Sequence, residues 1–409
     1  MLPAQAGSLT GEVIVPDKLQ EVYREAVKAH EEDDYGKAVE LYSQILAVHP
    51  DADLVLYNKG LALYQLERFS EAAAAFTKVT EVSDADADTW YNLGLALKGC
   101  GVLDGACHAY ERALALQPDE DILFNLANCY QEYGAIDKAT SCYAELLKIN
   151  PDHLSANNNF AFLCHKQGKN KHAKALYSQV LALEPDHPGA AHMLAALNGT
   201  GNDTPSPEYI RNLFDQYSTD FEESLIEKLG YRVPELMFAA LNGALPDKTF
   251  VSTLDLGCGT GLAGTLFRQS TQELTGVDLS SKMLAVAAEK KVYDQLETAD
   301  VLQFLDSQDT LFDLFIAADL LMYMADLEPL FSTVKKAAST DALFVFSTER
   351  TIQKRWQIQP TGRFAHNPEY ISVLVDQVGG RIVSFSEERI RKEGDLWLTG
   401  NIFLVQLYG

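Results

Sequence analysis

Residues Val251–Gly264 read VSTLDLGCGTGLAG: an apolar, strand-like run, an aspartate, then four glycines in eight residues. A strand ending at Asp255 and a helix beginning near Leu262 would put Gly257, Gly259 and Gly261 in a tight turn. There the backbone lets a ligand come close, and the first helical N–H groups are free. The loop alone leaves the ligand open, because Gly259, Gly261 and Gly264 also satisfy G-x-G-x-x-G, the dinucleotide fingerprint.

Downstream, strand-like runs (ELTGVDL, QLETAD, LFDLFIAAD, ALFVFSTE) alternate with helical segments (LAGTLFRQ, SKMLAVAAEKK, LEPLFSTVKKAA). Apolar strands alternating with helices predict an α/β fold with a parallel sheet covered on both faces. The end of the chain breaks this rhythm. RIVSFSEERIRK and LWLTGNIFLVQL read as two long strands joined by Glu-Gly-Asp, a terminal antiparallel hairpin. An acid closes each of the first three strands: Asp255, Asp278 (TGVDLS) and Asp300 (ETADVLQF).

The LD-x-G-x-G-x-G loop, the acids at successive strand ends and the terminal hairpin together resemble class I methyltransferases that use S-adenosylmethionine (SAM). The resemblance implies a Rossmann-like domain in which Asp255 serves the methionine end of SAM, Asp278 the ribose hydroxyls and Asp300 the adenine amino group. Gly257, Cys258, Gly259, Gly261 and Leu279 would complete the cofactor contacts. Tyr217 and Phe221, in FDQYSTDF, resemble a segment that lids SAM in ubiquinone-type methyltransferases; packing of that helix on the core is the alternative. Each acid alone could instead be a helix N-cap.

Methyl transfer is an in-line displacement that needs alignment and, for some acceptors, removal of a proton. Candidate catalytic residues are Asp319 at the end of the fourth strand, Tyr323 one turn later, and His366. That histidine is the only one beyond the repeats and is expected in a polar loop that also holds Trp356 and Arg363. No Asn-Pro-Pro-Tyr-type motif follows the fourth strand, so amide or adenine N-methylation is not indicated.

Upstream, the segments AVELYSQILAVHPD, AAAAFTKVTEVSDA, ACHAYERALALQPD, ATSCYAELLKINPD and AKALYSQVLALEPD align. Their leading alanines, Ala38, Ala72, Ala106, Ala139 and Ala173, are spaced by 34, 34, 33 and 34, each followed four residues on by an aromatic. A small residue lets two helices approach, the aromatic fills the space beside it, and a proline closes four of the five units. With WYNLGLAL from Trp90, this resembles the tetratricopeptide repeat over residues 19–198: five units and a partial capping helix, GAAHMLAALN. Such arrays stack into an all-α superhelix.

The first helices carry Tyr57-Asn58, Tyr91-Asn92 and Phe124-Asn125, continued by Asn159. These side chains are the candidate wall for a protein or peptide partner, with carboxamides pairing to an extended backbone; interhelix packing is the alternative. The basic residues of the family's dicarboxylate clamp are absent, Gln20, Leu54, Asp88, Asp121 and Ser155 standing there, which disfavours chaperone tails.

GTGNDTPSP marks a linker, expected at 199–207, between the repeats and a catalytic domain over 208–409, with 1–18 as a leading segment. The chain as a whole resembles bacterial methyltransferases that contain tetratricopeptide repeats. A catalytically inactive SAM-binding scaffold is the alternative function, and a nucleotide-dependent oxidoreductase a more distant one.

The 409 residues carry a formal charge of −25, spread as −13 over 1–200 and −12 beyond. Uniform acidity repels phosphate backbones, so no nucleic-acid partner is expected. The six cysteines include no C-x-x-C pair, so reduced core thiols and no metal are expected. The opening residues lack a basic and an apolar signal region, and no apolar run reaches membrane-span length, so a cytoplasmic location without membrane contact is expected.

Overall fold

The computed structural model describes residues 17–408 apart from 84, 202–203, 218–221, 223–224, 227–228, 354 and 395, and leaves out the side chains of 17, 216 and 217. The chain divides into two units between Leu183 and Glu184.

Helical hairpins build the first unit: α1 (Asp17–Glu31) with α2 (Tyr35–Leu46), α3 (Asp53–Gln65) with α4 (Phe69–Val82), α5 (Ala87–Gly99) with α6 (Leu103–Leu116), α7 (Glu120–Tyr133) with α8 (Ile136–Ile149), and α9 (Leu154–Lys166) with α10 (Asn170–Leu183). Asp34, Asp86, Asp119 and His153 cap helices by accepting from first-turn N–H groups. The periodic anchors are the core. Ala38, Ala72, Ala106, Ala139 and Ala173 are all fully buried, and so are Tyr42, Phe76, Tyr110, Tyr143 and Tyr177. Glycine is required where first helices cross these rings: a Cβ at Gly60 would sit 2.7 Å from Phe76, and one at Gly94 2.6 Å from Tyr110.

The second unit begins with α11 (Pro188–Asn198), the helix the repeat pattern assigns as a cap. Here it packs within the second unit. His192 Nε2 donates to Gly362 O at 2.7 Å, and Ala196 joins Ala325, Ile358 and Phe364 in one buried cluster. The boundary therefore falls about fifteen residues before the Gly/Pro-rich stretch that composition singles out. That stretch is itself engaged, since Thr204 Oγ1 accepts from Ala325 N at 3.0 Å.

Then follow α12 (Pro207–Tyr217), α13 (Val233–Ala244), β1 (Phe250–Leu256), α14 (Leu262–Phe267), β2 (Thr271–Asp278), α15 (Ser281–Glu289), β3 (Gln295–Thr298), α16 (Val301–Ser307), β4 (Phe312–Ala317), α17 (Glu328–Lys336) and β5 (Ala338–Arg350). The chain ends with β6 (Trp356–Ile358), β7 (Phe364–His366), α18 (Pro368–Gln377), β8 (Gly380–Glu393) and β9 (Leu396–Leu407). Strands β3-β2-β1-β4-β5 run parallel in that order, and β9 pairs antiparallel with β5 and with β8. This mixed sheet with its terminal hairpin has the architecture expected of the class I methyltransferase fold. One face buries Leu254, Phe315, Phe344 and Phe403 against α16, α17 and α18. The other packs Leu314, Ile316 and Val345 against Val233, Met237 and Leu241 of α13.

The stretch expected as a polar loop, 356–366, is instead a short hairpin. Strand β6 pairs with β7, and β7 runs beside the end of β5 through Glu349↔Ala365 and Arg350↔His366.

Candidate functional site

Strand order reverses between β1 and β4, and in open sheets of this kind ligands sit outside the carboxyl ends of the strands at that switch. Gly257, Gly259 and Gly261 lie there, all with positive φ (65°, 54° and 88°), a region that side chains resist. A Cβ at Gly259 would meet nothing within 4 Å, so the turn is open above that residue. Cys258 is buried; its amide donates to Val277 O at 3.0 Å and ties the loop to β2.

Asp278 closes β2. Its two oxygens accept from Gly259 N and Ser280 N, each at 2.9 Å, so the carboxylate fastens the glycine loop to the start of α15. Burial raises its pKa, and these backbone donors work in the opposite direction. Leu279, half-buried, follows it. Asp300 is the N-cap of α16: Oδ1 accepts from Leu302 N and Gln303 N at 3.0 and 3.1 Å. Its Oδ2 makes no hydrogen bond among the described residues.

Asp255 lies fully buried beneath the loop. Tyr293 Oη donates to its Oδ2 at 2.7 Å, while Oδ1 has no partner among the described residues. Burial pushes this carboxyl up to about 7, against hydrogen bonding from Tyr293 and from the Gly264 backbone N–H.

Helix α12 reaches the same edge. Ser280 Oγ donates to Asp215 Oδ1 at 2.5 Å, and the Phe214 ring meets Tyr323 edge-on at 5.2 Å. Tyr217 ends α12, but its side chain lies outside the described residues, as does the whole of Phe221.

Two catalytic expectations need correction. His366 is a fully buried residue of β7, its Nε2 donating to Ala325 O at 3.1 Å, and burial holds its pKa down to about 4. It is a neutral core imidazole rather than a base in a polar loop. Asp319 does end up at the carboxyl edge, in the left-handed region (φ 55°), but its Oδ2 is 2.5 Å from Arg391 Nη1 and its Oδ1 accepts from Ser347 Oγ. Arg391 also pairs with Glu349, Glu349 with Arg363 Nε at 2.6 Å, and Arg363 with Glu393 at 2.7 Å. Asp319 is thus one end of a largely buried chain of alternating charges. Tyr323 lies beside that chain, and its hydroxyl makes no hydrogen bond among the described residues.

The expected partner wall of the repeats is corrected as well. Asn58 and Asn92 are buried, and each amide donates to a tyrosine of the preceding repeat: Asn58 to Tyr23 Oη at 3.2 Å, Asn92 to Tyr57 Oη at 3.1 Å. Half-buried Asn125 does the same to Tyr91 Oη at 3.0 Å. Phe124 has no hydroxyl to offer the next repeat, and Asn159 turns to Asn128 Oδ1 at 3.0 Å and Tyr143 Oη at 3.3 Å. The carboxamides form an inter-repeat ladder. Tyr57 is buried with them, whereas Tyr91 and Phe124 stay half-buried.

Tyr293, Glu349 and Arg391 escaped the sequence reading. Glu349 carried a signal, being an acid near the end of an apolar strand like Asp255 and Asp278. Tyr293 stands in the charged run KKVYDQ and carried none.

Known families match both units. The family described as "Methyltransferase domain" matches residues 254–346. Those described as "Tetratricopeptide repeat" match 23–88, 57–99, 87–120, 120–153 and 154–187. The chain carries tetratricopeptide repeats and a methyltransferase domain. Over 62 residues it is 39% identical to malonyl-[acyl-carrier protein] O-methyltransferase of Enterobacter lignolyticus (strain SCF1), covering 15% of this chain and 25% of that one. Over 105 residues it is 24% identical to small glutamine-rich tetratricopeptide repeat-containing protein 2 of Mycosarcoma maydis, covering 26% and 30%. The chain thus spans about a quarter to a third of the length of these curated relatives. Among solved structures, magnesium protoporphyrin IX methyltransferase from Synechocystis PCC 6803 with bound SAH is 16% identical, with a TM-score of 0.39 over 49% of this chain and 99% of that one. Among the described residues no helix is long and apolar enough to cross a membrane, and no cluster of side chains suits a metal ion.

Proposed function

We propose that the protein is a SAM-dependent methyltransferase whose repeats hold a protein or peptide partner. The observation that carries this reading is the convergence of Asp255, Asp278 and the open glycine turn at the switch point of the sheet. The residues fit the cofactor. Each Asp278 oxygen bonded to a backbone N–H keeps a lone pair for a ribose hydroxyl. Asp300 Oδ2 is available to an adenine amino group, and Asp255 Oδ1 is a buried acceptor for a cationic end. Bound SAM would supply a methyl group on a sulfonium leaving group.

The chain's own part is alignment and exclusion of water. Gly257, Gly259 and Gly261 let the backbone come close, and α12, joined to the site through Asp215 and Phe214, covers it. With Asp319 held by Arg391 and His366 buried, neither suits proton removal, which favours an acceptor already nucleophilic near neutral pH. Tyr323 remains as an acceptor contact. The half-buried Tyr91 and Phe124 support a partner surface on the later repeats.

Titrating the full chain with SAM and with S-adenosylhomocysteine in a calorimeter tests the reading. Saturable heats for both are expected, and no heat for either would reject it. Methyl-labelled SAM incubated with the protein and cell extract then separates an enzyme, which labels a product, from a scaffold that binds without turnover.

A further inference from the structure

Three of the glycines near the site make room for one ring that belongs to none of the loop's own residues. A Cβ at Gly261 would lie 2.9 Å from Tyr293 Cε2, one at Gly276 would lie 2.9 Å from Tyr293 Cε1, and one at Gly264 would overlap the Tyr293 hydroxyl. The ring enters from the segment between α15 and β3 and ends at Asp255 Oδ2, 2.7 Å from its hydroxyl. Gly264, the last glycine of the loop, thus makes space for a side chain rather than for a ligand.

We propose that Tyr293 is a positioning residue: it fixes the buried Asp255 carboxyl through Oδ2, leaving Oδ1 as the acceptor for the positively charged end of SAM. This rests on the cofactor reading above. A carboxylate at this depth with one unbonded oxygen is costly unless something cationic arrives, so the site is poised for such a ligand. The titratable groups facing Asp255 are Tyr293, Cys258 and Asp278. Of these, only Tyr293 donates to the carboxylate, beside the Gly264 backbone N–H, and burial keeps both its hydroxyl and the Cys258 thiol protonated.

The test is Tyr293→Phe, which keeps the ring in its glycine socket and removes only the hydroxyl. A hydrogen bond to a charged group is lost, and the Asp255 pKa should rise from about 7 by roughly one unit or more. Because the cation needs the carboxylate, SAM affinity falls as pH drops through that value, and in the variant the fall begins at higher pH. With a shift of one unit, the variant binds about fivefold more weakly than wild type at pH 7 and within about twofold at pH 8.5. Taking the ratio of the two proteins cancels titration of the ligand's own amine. Calorimetry at both pH values reads this ratio, and carboxyl-carbon NMR of ligand-free protein reads the Asp255 titration directly.

A ratio that does not change with pH, or an Asp255 titration that does not move, overturns the role of Tyr293 while leaving SAM binding intact. Failure of wild type to bind SAM instead removes the cofactor reading and the proposal with it. Asp255→Asn should weaken binding at both pH values without the narrowing gap.

Discussion

Replacing Asn92 by alanine separates the two roles this residue could have. The side chain is 3% exposed and donates to Tyr57 Oη at 3.1 Å and to Asp88 O at 2.8 Å. The alanine variant leaves the Tyr57 hydroxyl, on a residue also 3% exposed, without its partner. An orphaned buried polar group costs about 1–3 kcal/mol, and the lost carbonyl bond adds up to about 1 more. We expect a destabilisation of about 2–3 kcal/mol, which for a unit of this size lowers Tm by roughly 5–10 °C. Urea or thermal unfolding of the full chain, followed by far-ultraviolet circular dichroism, measures it. Tyr57→Phe closes a double-mutant cycle: with the hydroxyl already gone, Asn92→Ala should cost about 1 kcal/mol less than in wild type. If Asn92→Ala left stability within about 0.5 kcal/mol of wild type while abolishing capture of a partner peptide, the ladder would be a binding surface and our reasoning wrong.

Asp278→Ala should weaken SAM binding at least tenfold, because two charge-assisted bonds to ribose, each worth about 1.5–3 kcal/mol, are lost together with the anchor of the glycine loop; calorimetry reads this. A fragment starting at Ser206 lacks α11 and Thr204 and uncovers Ile358 and Phe364, so it should unfold at a lower temperature than one starting at Glu184; equal melting curves would show that α11 is dispensable. His366 should keep neutral-imidazole NMR signals from pH 8 to 5. Its folded pKa of about 4 lies below the ordinary value of about 6.5, so its contribution to stability is intact above 6.5 and is lost as pH falls from there toward 4.

What the sequence disclosed depended on whether a residue's partner lay at a fixed offset. Ala38 and Tyr42 recur with the repeat, and every copy packs in the same way, so their burial could be read directly. The asparagines recur as faithfully, but a period does not say which way an amide faces. The clue was the offset itself, since Asn58, Asn92 and Asn125 each stand 34 or 35 residues after the tyrosine they bind. The glycine loop and the acids closing β1 and β2 were legible because strand ends place them. Arg391 and Glu349, 42 residues apart, meet only once β9 has paired with both β5 and β8, and no local pattern encodes that. His366 was misplaced because strands of three residues are too short to show an alternation, and the Pro-Thr-Gly turn between them looks like loop. For α11 the composition shift after Asn198 is real but falls inside the second unit, not at its edge.

The seating of Tyr293 under the glycine loop also bears on which changes this sequence can accept. Position 264 and position 293 share one volume, so position 264 cannot enlarge while Tyr293 stays. Alanine at 264 would have to arrive with, or after, a smaller residue at 293, and the intermediate with both groups present is blocked by overlap. Gly261 and Gly276 press on the same ring, so four positions drawn from three separate segments form a single unit of substitution. Two of the three glycines in the G-x-G-x-x-G match, Gly261 and Gly264, therefore have a steric cause in this protein that owes nothing to a dinucleotide.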